Sequence, residues 1–599
     1  VQAQQKHLEH IEPMFWWVGM KDPSLQIMAH GKNIGQTEVR IASQAVRFER
    51  STRTNNPNYL FIDVRILSEA ATSFDIEFWD GRKKVATYAY ALHERTAGSA
   101  QRKGFNNSDA IYLITPDRFA NALPANDNAA GYVDKANRQH PFGRHGGDIE
   151  GIIQHLDYIK EMGFTALWVC PMQENNQQEA SYHGYAITDF YKIDPRFGSN
   201  EDYRRLCQEA NKRGIKLIMD MVANHCGNGH WWMNDPPALD WFNYQEGYRI
   251  TNHRRSTIQD PHTPPSERRL FEEGWFVSAM PDMNQRNPLM GKYFLQNTIW
   301  WIEYAGLQGI RMDTYSYPDA DYMREWSCRV MEEYPDFNIV GEEWATNPLT
   351  VAYWQRGKQN PNGYVSCLPS LMDFPLQDAL RRGLVEPESW NKGFIAPYEM
   401  LANDFAYANP NNLVVFADNH DMDRFFTQMG EDLDLFKMGM AYVFTMRGIP
   451  QLYYGTEVLL SNKGFHDNHG IIRTDFPGGW ASDKANAFTG DGLSSQQAEA
   501  QAFVRRLANW RKGKEVVQTG KLTHYSPTDG VYVYFRYNDS DKVMVVFNKN
   551  DKASRLEMSR FNEVLGTAKA GRDVLSEKSF SLVGNMDVPP RAALVLEVR

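Results

Sequence analysis

From Ala110 onward the chain alternates short apolar runs with amphipathic stretches, and the alternation repeats eight times. The runs are AIYLIT, ALWVCP, KLIMDMV, GIRMD, NIVGE, SLMDF, LVVFADN and IPQLYYG. Stretches such as IEGIIQHLDYIKEMG and NEDYRRLCQEANKRG lie between them with helical spacing of apolar residues. Few folds accept such a series. Successive parallel strands need a crossover, usually helical, and a parallel sheet is covered on both faces. Eight units in series predict an α/β chain built on a (β/α)8 TIM barrel, with its chemistry at the C-terminal strand ends.

Three of the runs are closed or closely followed by a carboxylate in a short motif: Asp313 in GIRMDT, Glu342 in IVGEEW and Asp421 in FADNHD. A single Asp is most often a solvated surface residue. Three acids, each delivered by an apolar run to the same rim, fit a site that cleaves a glycosidic bond with one carboxylate on each side of it. Arg311 lies two residues before Asp313, so both side chains point to one face of the strand. Glu343 adjoins Glu342, but neighbouring strand residues face opposite ways.

The flanking regions read differently. Residues 1–97 carry alternating runs such as YLFIDVRIL, SFDIEFW and KVATYAYAL, which predict a β-sandwich. TAGSAQRKGFNNSD has linker composition. The barrel is assigned to 98–514. VYVYFRY and KVMVVFN restore the alternation in a C-terminal antiparallel β domain over 515–599. About 65 residues rich in Trp, Pro and Asn separate DMVANH from the helix near Tyr293, too many for an ordinary loop. They predict an inserted subdomain after the third strand, about 224–290, roofing one side of the cleft.

Composition excludes several classes. A net charge of -10 and a pI near 5.9 argue against nucleic acid. No apolar run approaches ~18 residues, so no membrane span is expected. No GxxxxGK[ST] occurs, and no GxGxxG falls at a strand–helix turn, so no nucleotide or redox cofactor is implied. Five scattered cysteines with no CxxC spacing predict buried free thiols rather than a disulfide framework or a zinc site. The aromatic fraction of 13% fits either large cores or surfaces that stack on sugar faces. The first residue is Val1, which suggests either a processed secreted form or an expression product.

DMVANH, GIRMDT, GEEW, FADNHD and RGIPQLYYGTE occur in the order of the α-amylase family of glycoside hydrolases (family 13), which the chain strongly resembles across the whole barrel. The N-terminal β domain, its opening IEPMFWWVGMKDPSLQIMAHG and the MPDMN segment resemble the cyclomaltodextrinase and neopullulanase branch. The resemblance implies that Asp313 is the nucleophile, Glu342 the general acid and then base, and Asp421 the third acid, binding hydroxyls of the sugar being cleaved. The family pattern Gly-Glu-x-Trp selects Glu342 over Glu343. Arg311, His225, His420, Tyr185 and His183 would bind around the same sugar, with Tyr185 stacking beneath it; a packed core aromatic is the plainer reading of Tyr185. Asp220 would support Arg311, while Asp189, Asp194 and Asp373 read as structural. A retaining mechanism would set the carboxyls of Asp313 and Glu342 roughly 5–5.5 Å apart.

The branch also binds calcium in the loop after the first strand. Asn121, Asn126, Asp127, the Gly146 carbonyl and Asp148 match that pattern, while Leu123 stands where relatives usually have an acid. The plainer alternative is an Asx-rich loop held by its own hydrogen bonds. Two further departures concern the acceptor side. Ser316 and Tyr317 replace the Lys-His or Asn-Glu of many relatives, and Asp282 replaces the Lys of many neopullulanases. Trp231, Trp232, Trp241 and Trp275 of the insert, with Trp344, either line subsites or form a small core; one or two are expected to touch sugar.

The expected activity is hydrolysis of cyclodextrins and short maltooligosaccharides. The alternatives are neopullulanase or maltogenic amylase activity, net transglycosylation, or a non-catalytic glucan-binding relative. A binding protein would not need a matched acid and nucleophile. The resemblance further implies a homo-oligomer and a periplasmic or secreted location.

Overall fold

The computed structural model describes residues 7–599, so the first six residues of the expected N-terminal domain lie outside it. Two four-stranded sheets make that domain. One pairs His10–Glu12, Ser24–His30, Tyr59–Ile66 and Val46–Arg53; the other pairs Trp16–Trp17, Lys83–His93, Thr72–Asp80 and Glu38–Arg40. In Thr72–Asp80 the side chains of Phe74, Ile76 and Phe78 are buried while Ser73 and Asp75 are exposed, as period-2 patterning requires.

Eight parallel strands follow as anticipated: Ile111–Ile114, Ala166–Val169, Lys216–Val222, Gly309–Asp313, Ile339–Gly341, Ser370–Leu371, Val414–Phe416 and Ile449–Tyr453. They form one sheet in which the last strand pairs back onto the first. The sixth and seventh strands meet only through a single parallel bridge, Met372 to Val414, so the barrel is nearly closed. Strands 2 to 4 are wholly apolar apart from Lys216 and the polar residues Asp220, Arg311 and Asp313, and all three of these are buried. Those three therefore carry a large desolvation cost, which only mutual pairing can offset.

The helices begin where the sequence supplies caps. Asp148 accepts from the Gly151 amide at the start of Ile149–Gln154, and Ser199 and Asp202 form a reciprocal capping box ahead of Asn200–Lys212. Pro288–Ala305 is N-capped by Asn287 and ends on Gly306 at φ 77°.

The stretch between strand 3 and Pro288–Ala305 forms the inserted roof, with one α-helix, Pro265–Glu273, and two short 3-10 helices, Trp231–Met233 and Arg255–Ile258. Its tryptophans are engaged in packing contacts. Trp232 and Trp241 are fully buried and meet edge-on at 5.3 Å. Trp275 donates to the Asn243 carbonyl at 2.7 Å, and Trp231 stacks on His10 of the N-terminal domain at 4.2 Å. The same seam is fastened by Asp235, which accepts from Asn56 and Asn58, pairs with His30, and whose carbonyl accepts from the Tyr59 hydroxyl.

At the other end, a six-stranded antiparallel sheet includes Lys521–Thr528, Val531–Tyr537, Lys542–Asn548 and Ala592–Val598. Alternate residues of Val531–Tyr537 serve two cores: Tyr532 and Tyr534 pack toward the barrel, while Val531, Val533 and Phe535 pack within the domain.

The cysteine expectation needs correction. Cys170, Cys207 and Cys226 are buried thiols, but Cys328 and Cys367 form a disulfide. It ties helix Ala320–Glu333 to the segment before strand 6. Spacing could not reveal it, because the partners are 39 residues apart and meet only through the barrel fold.

Candidate active site

The three acids converge at the C-terminal rim. Asp313 is the last residue of strand 4, and Glu342 directly follows strand 5. The Glu342 amide donates to the Met312 carbonyl at 3.0 Å, which locks the two strand ends together. Arg311 serves both acids. Its Nη1 lies 2.8 Å from Asp313 Oδ1, and its Nη2 contacts Glu342 Oε2. Nη1 also donates to Asp220 Oδ1 at 2.9 Å. Asp220 therefore does support the arginine, and it receives further hydrogen bonds from Trp168 Nε1 and the Tyr185 hydroxyl. Burial pushes the Asp220 carboxyl up to about 7 even though Arg311 opposes the shift.

Glu343 turns away from its neighbour. It is fully buried, accepts from Trp354 Nε1 at 2.8 Å and lies 3.5 Å from Arg255 Nε. Desolvation drives its carboxyl up to about 7 against the pull of Arg255. The opposite facing of adjacent residues thus separates the two glutamates.

Asp421 follows strand 7 and faces Arg473 and His420. Its Oδ1 accepts from Arg473 Nη2 at 2.6 Å, and His420 Nε2 lies 3.0 Å from Oδ2. Burial alone would raise its pKa, but His420, Arg473 and His469 together outweigh that and hold the carboxyl well below its usual range. His420 Nε2 also meets the Tyr185 hydroxyl at 2.7 Å, and the two rings lie nearly parallel, 5.5 Å apart. Nδ1 of His183 accepts from the Tyr185 amide at 2.9 Å. Burial, reinforced by Arg473, lowers His183 to about 3, so its ring is neutral.

His225 is buried, and burial lowers its pKa as well. Its Nδ1 meets Asn224 Nδ2 at 3.1 Å, while Nε2 has no hydrogen-bond partner among the described residues. Every expected catalytic or sugar-binding residue is thus linked by contact to another member of the cluster, His225 through the backbone of Tyr185.

Two members were not foreseen. Arg473 lies beyond strand 8, 52 residues after Asp421, and no strand-end motif marks it. Trp168 sits in the middle of the second apolar run, where it reads as core. Of the noted departures, Ser316 and Tyr317 are buried, and Asp282 is buried against Asn243 Nδ2 at 2.8 Å. Trp344 remains partly exposed and stacks on Phe374 at 4.9 Å. Asp194 and Asp373 are paired with Arg196 and Arg447, and Asp189 accepts from the Tyr191 amide, as structural acids would be. A cavity of about 810 Å³ lies elsewhere, between residues 16–24 and the helices Pro288–Ala305 and Ala320–Glu333, and none of the three acids lines it.

The loop after strand 1 brings together most of the expected calcium ligands. The side-chain oxygens of Asn121 and Asn126 are buried with no hydrogen-bond partner. Asn121 Nδ2 donates to Asp127 Oδ1 at 2.8 Å. Gly146, at φ 94°, packs so closely that a Cβ there would come within 2.6 Å of Asp127 Oδ1. Asp148 differs: its carboxylate already accepts from the amides of Ala122, Leu123 and Gly151. Leu123 is half exposed. No cluster of three or more His, Cys, Asp or Glu side chains suited to a metal occurs among the described residues. This loop offers the Asp127 carboxylate and two unpartnered amide oxygens, a donor set that suits a hard cation.

The family model described as "Alpha amylase, catalytic domain" matches residues 113–515. The chain belongs to the alpha-amylase family. The descriptions "Cyclomaltodextrinase, N-terminal" and "Cyclo-malto-dextrinase C-terminal domain" match 10–96 and 522–597. A cyclomaltodextrinase of Thermoanaerobacter pseudethanolicus is 27% identical over 81% of this chain and 77% of its own length. Neopullulanase 2 of Thermoactinomyces vulgaris is 29% identical over 68% of this chain and 65% of its own. The acarbose-bound alpha-amylase of Geobacillus thermoleovorans superposes with a TM-score of 0.68 at 27% identity, covering 83% of this chain and 99% of that one. This alpha-amylase-family chain is a glycoside hydrolase whose relatives include α-glucan hydrolases and glucanotransferases. Among the described residues no helix is long and apolar enough to cross a membrane.

Proposed function

We propose that the enzyme is a retaining α-glucan hydrolase that cleaves α-1,4 bonds of cyclomaltodextrins and short maltooligosaccharides by double displacement. The observation that carries this is the single Arg311 guanidinium touching both Asp313 and Glu342. Both carboxyls thereby open onto one small volume, as a nucleophile and an acid on either side of one bond must. Asp313 attacks the anomeric carbon while Glu342 protonates the departing glycosidic oxygen. The C–O bond to the leaving sugar breaks and a β-glycosyl ester forms on Asp313. Glu342, now a carboxylate, takes a proton from water, and that water displaces Asp313 with a second inversion. In this reading His225 and the Asp421–His420 pair bind hydroxyls of the same ring, which the closeness of His420 Nε2 to Asp421 supports.

Initial rates on γ-cyclodextrin, soluble starch and pullulan, with D313N and E342Q as controls, test the reading. Cyclodextrin preferred and both variants inactive is the expected outcome. Faster turnover of starch would mean an open amylase cleft. Faster turnover of pullulan would favour the neopullulanase reading, which the 29% identical relative supports.

The orphaned oxygens of Asn121 and Asn126 support a structural calcium ion held with Asp127 and Gly146. It would stiffen the loop and take no part in bond cleavage. The Cys328–Cys367 disulfide supports a periplasmic or secreted location, since such bonds persist in oxidising compartments. Cell fractionation with a thiol-alkylation assay checks both points of that reading.

A further inference from the structure

The roof sends one polar segment, His253 to Arg255, onto the barrel rim. His253 sits at φ 54°, a left-handed conformation that a non-glycine residue keeps only where its surroundings enforce it. Its Nδ1 meets the Tyr317 hydroxyl at 3.0 Å. Phe276 packs edge-on to His253 at 5.1 Å and reaches His225 at 5.6 Å, so the segment is continuous with the candidate site.

Arg255 is steered from two sides. Its guanidinium carbon lies 5.3 Å from the Tyr317 ring centroid, and its Nε lies 3.5 Å from Glu343 Oε1. A guanidinium carries five N–H donors. Arg255 makes no hydrogen bond among the described residues, and its side chain is 27% exposed. Arg311 and Arg473, by contrast, are buried and hydrogen-bonded to their neighbours. An arginine oriented by a ring and a carboxylate, with its outer nitrogens uncommitted, is preorganised to donate to a group that arrives later.

The chemistry says which group that is. Glu342 protonates the departing oxygen, so the leaving portion of the glucan lies on its flank. Arg255 lies over Tyr317, on the loop whose Tyr315 amide donates to the Glu342 carbonyl at 2.9 Å, whereas Asp421, His420 and Tyr185 cluster with one another. We propose that Arg255 is a specificity-determining residue that hydrogen-bonds the glucose units on the leaving-group side of the scissile bond. This rests on the retaining-hydrolase reading of Asp313 and Glu342.

The test compares α-maltosyl fluoride, whose leaving group is a single ion, with maltohexaose, which fills the leaving-group side. R255M should lower kcat/KM for maltohexaose about ten- to hundredfold relative to the fluoride, mostly through KM, as loss of charged hydrogen bonds predicts. R255K should recover part of that ratio, and it carries the test if R255M does not fold. An equal loss on both substrates, or no change on either, overturns the assignment. A wild-type enzyme inert on both would instead overturn the reading of the acids.

Discussion

The two flanks of the cleft commit their polar groups differently. Around Asp421 the polar side chains are tied to one another: Arg473, His420, Tyr185, Asp220 and Arg311 form one connected network, in which His420 Nδ1 and Arg311 Nε make no hydrogen bond among the described residues. Beside Glu343 the network is sparse, with a strained histidine and a loosely paired arginine. A saturated network holds its geometry before substrate arrives, which suits the sugar that must be placed against the nucleophile. An unsaturated one leaves its hydrogen bonds for the ligand, which suits the side where chain length and ring shape vary.

Breaking the saturated flank at its centre should have the largest effect. D313N, measured by steady-state kinetics on γ-cyclodextrin, should lose about 10⁴-fold or more in kcat. R473M leaves the Asp421 carboxylate without its closest cation and should lower kcat/KM about 10²–10³-fold, with Asp421 shifting upward in the acid limb of the pH profile. A loss under threefold would show that the flank does not act as a unit.

The sparse flank gives smaller and different signals. Glu343 titrates at about 7 in the fold against 4.5 as an ordinary glutamate. Its raised value means the folded protein holds this proton longer than the unfolded chain. The associated stability is fully present below about pH 4.5 and lost as the pH rises to about 7, a change of about 3 kcal/mol. Chemical denaturation of E343Q should show a stability curve flatter by that amount over the same window. Smallest of all, chelation should lower the melting midpoint by roughly 2–4 °C and leave kcat at 25 °C nearly unchanged, since the loop after strand 1 meets the Asp421 flank at the Arg473 carbonyl, through Arg118, rather than at its guanidinium. N121A should abolish the chelation effect.

What was legible in the sequence follows the length scale of each feature. A barrel strand carries its signal in consecutive residues, so all eight runs and the acids at their ends could be read directly. Arg311 and Asp313 share a face because they are two residues apart, and the structure keeps them so. Arg473, Arg255 and the Cys328–Cys367 bond are products of packing between distant segments, and nothing local announces them. The insert tryptophans show the limit from the other side. Composition flagged them, but only the position of the N-terminal domain reveals that Trp231 has an aromatic partner there.

That domain reaches none of the three acids, yet it is not a passenger. It grips the roof through Asp235, and the roof in turn presses Arg255 toward the loop that carries Glu342. The two contacts act in series, like a bracket fixed to a wall and holding a shelf. Trimming residues 7–95 would therefore do more than shorten the protein. It would free the far end of the bracket, and the first property to drift would be which glucans the enzyme prefers, well before its capacity to break a bond.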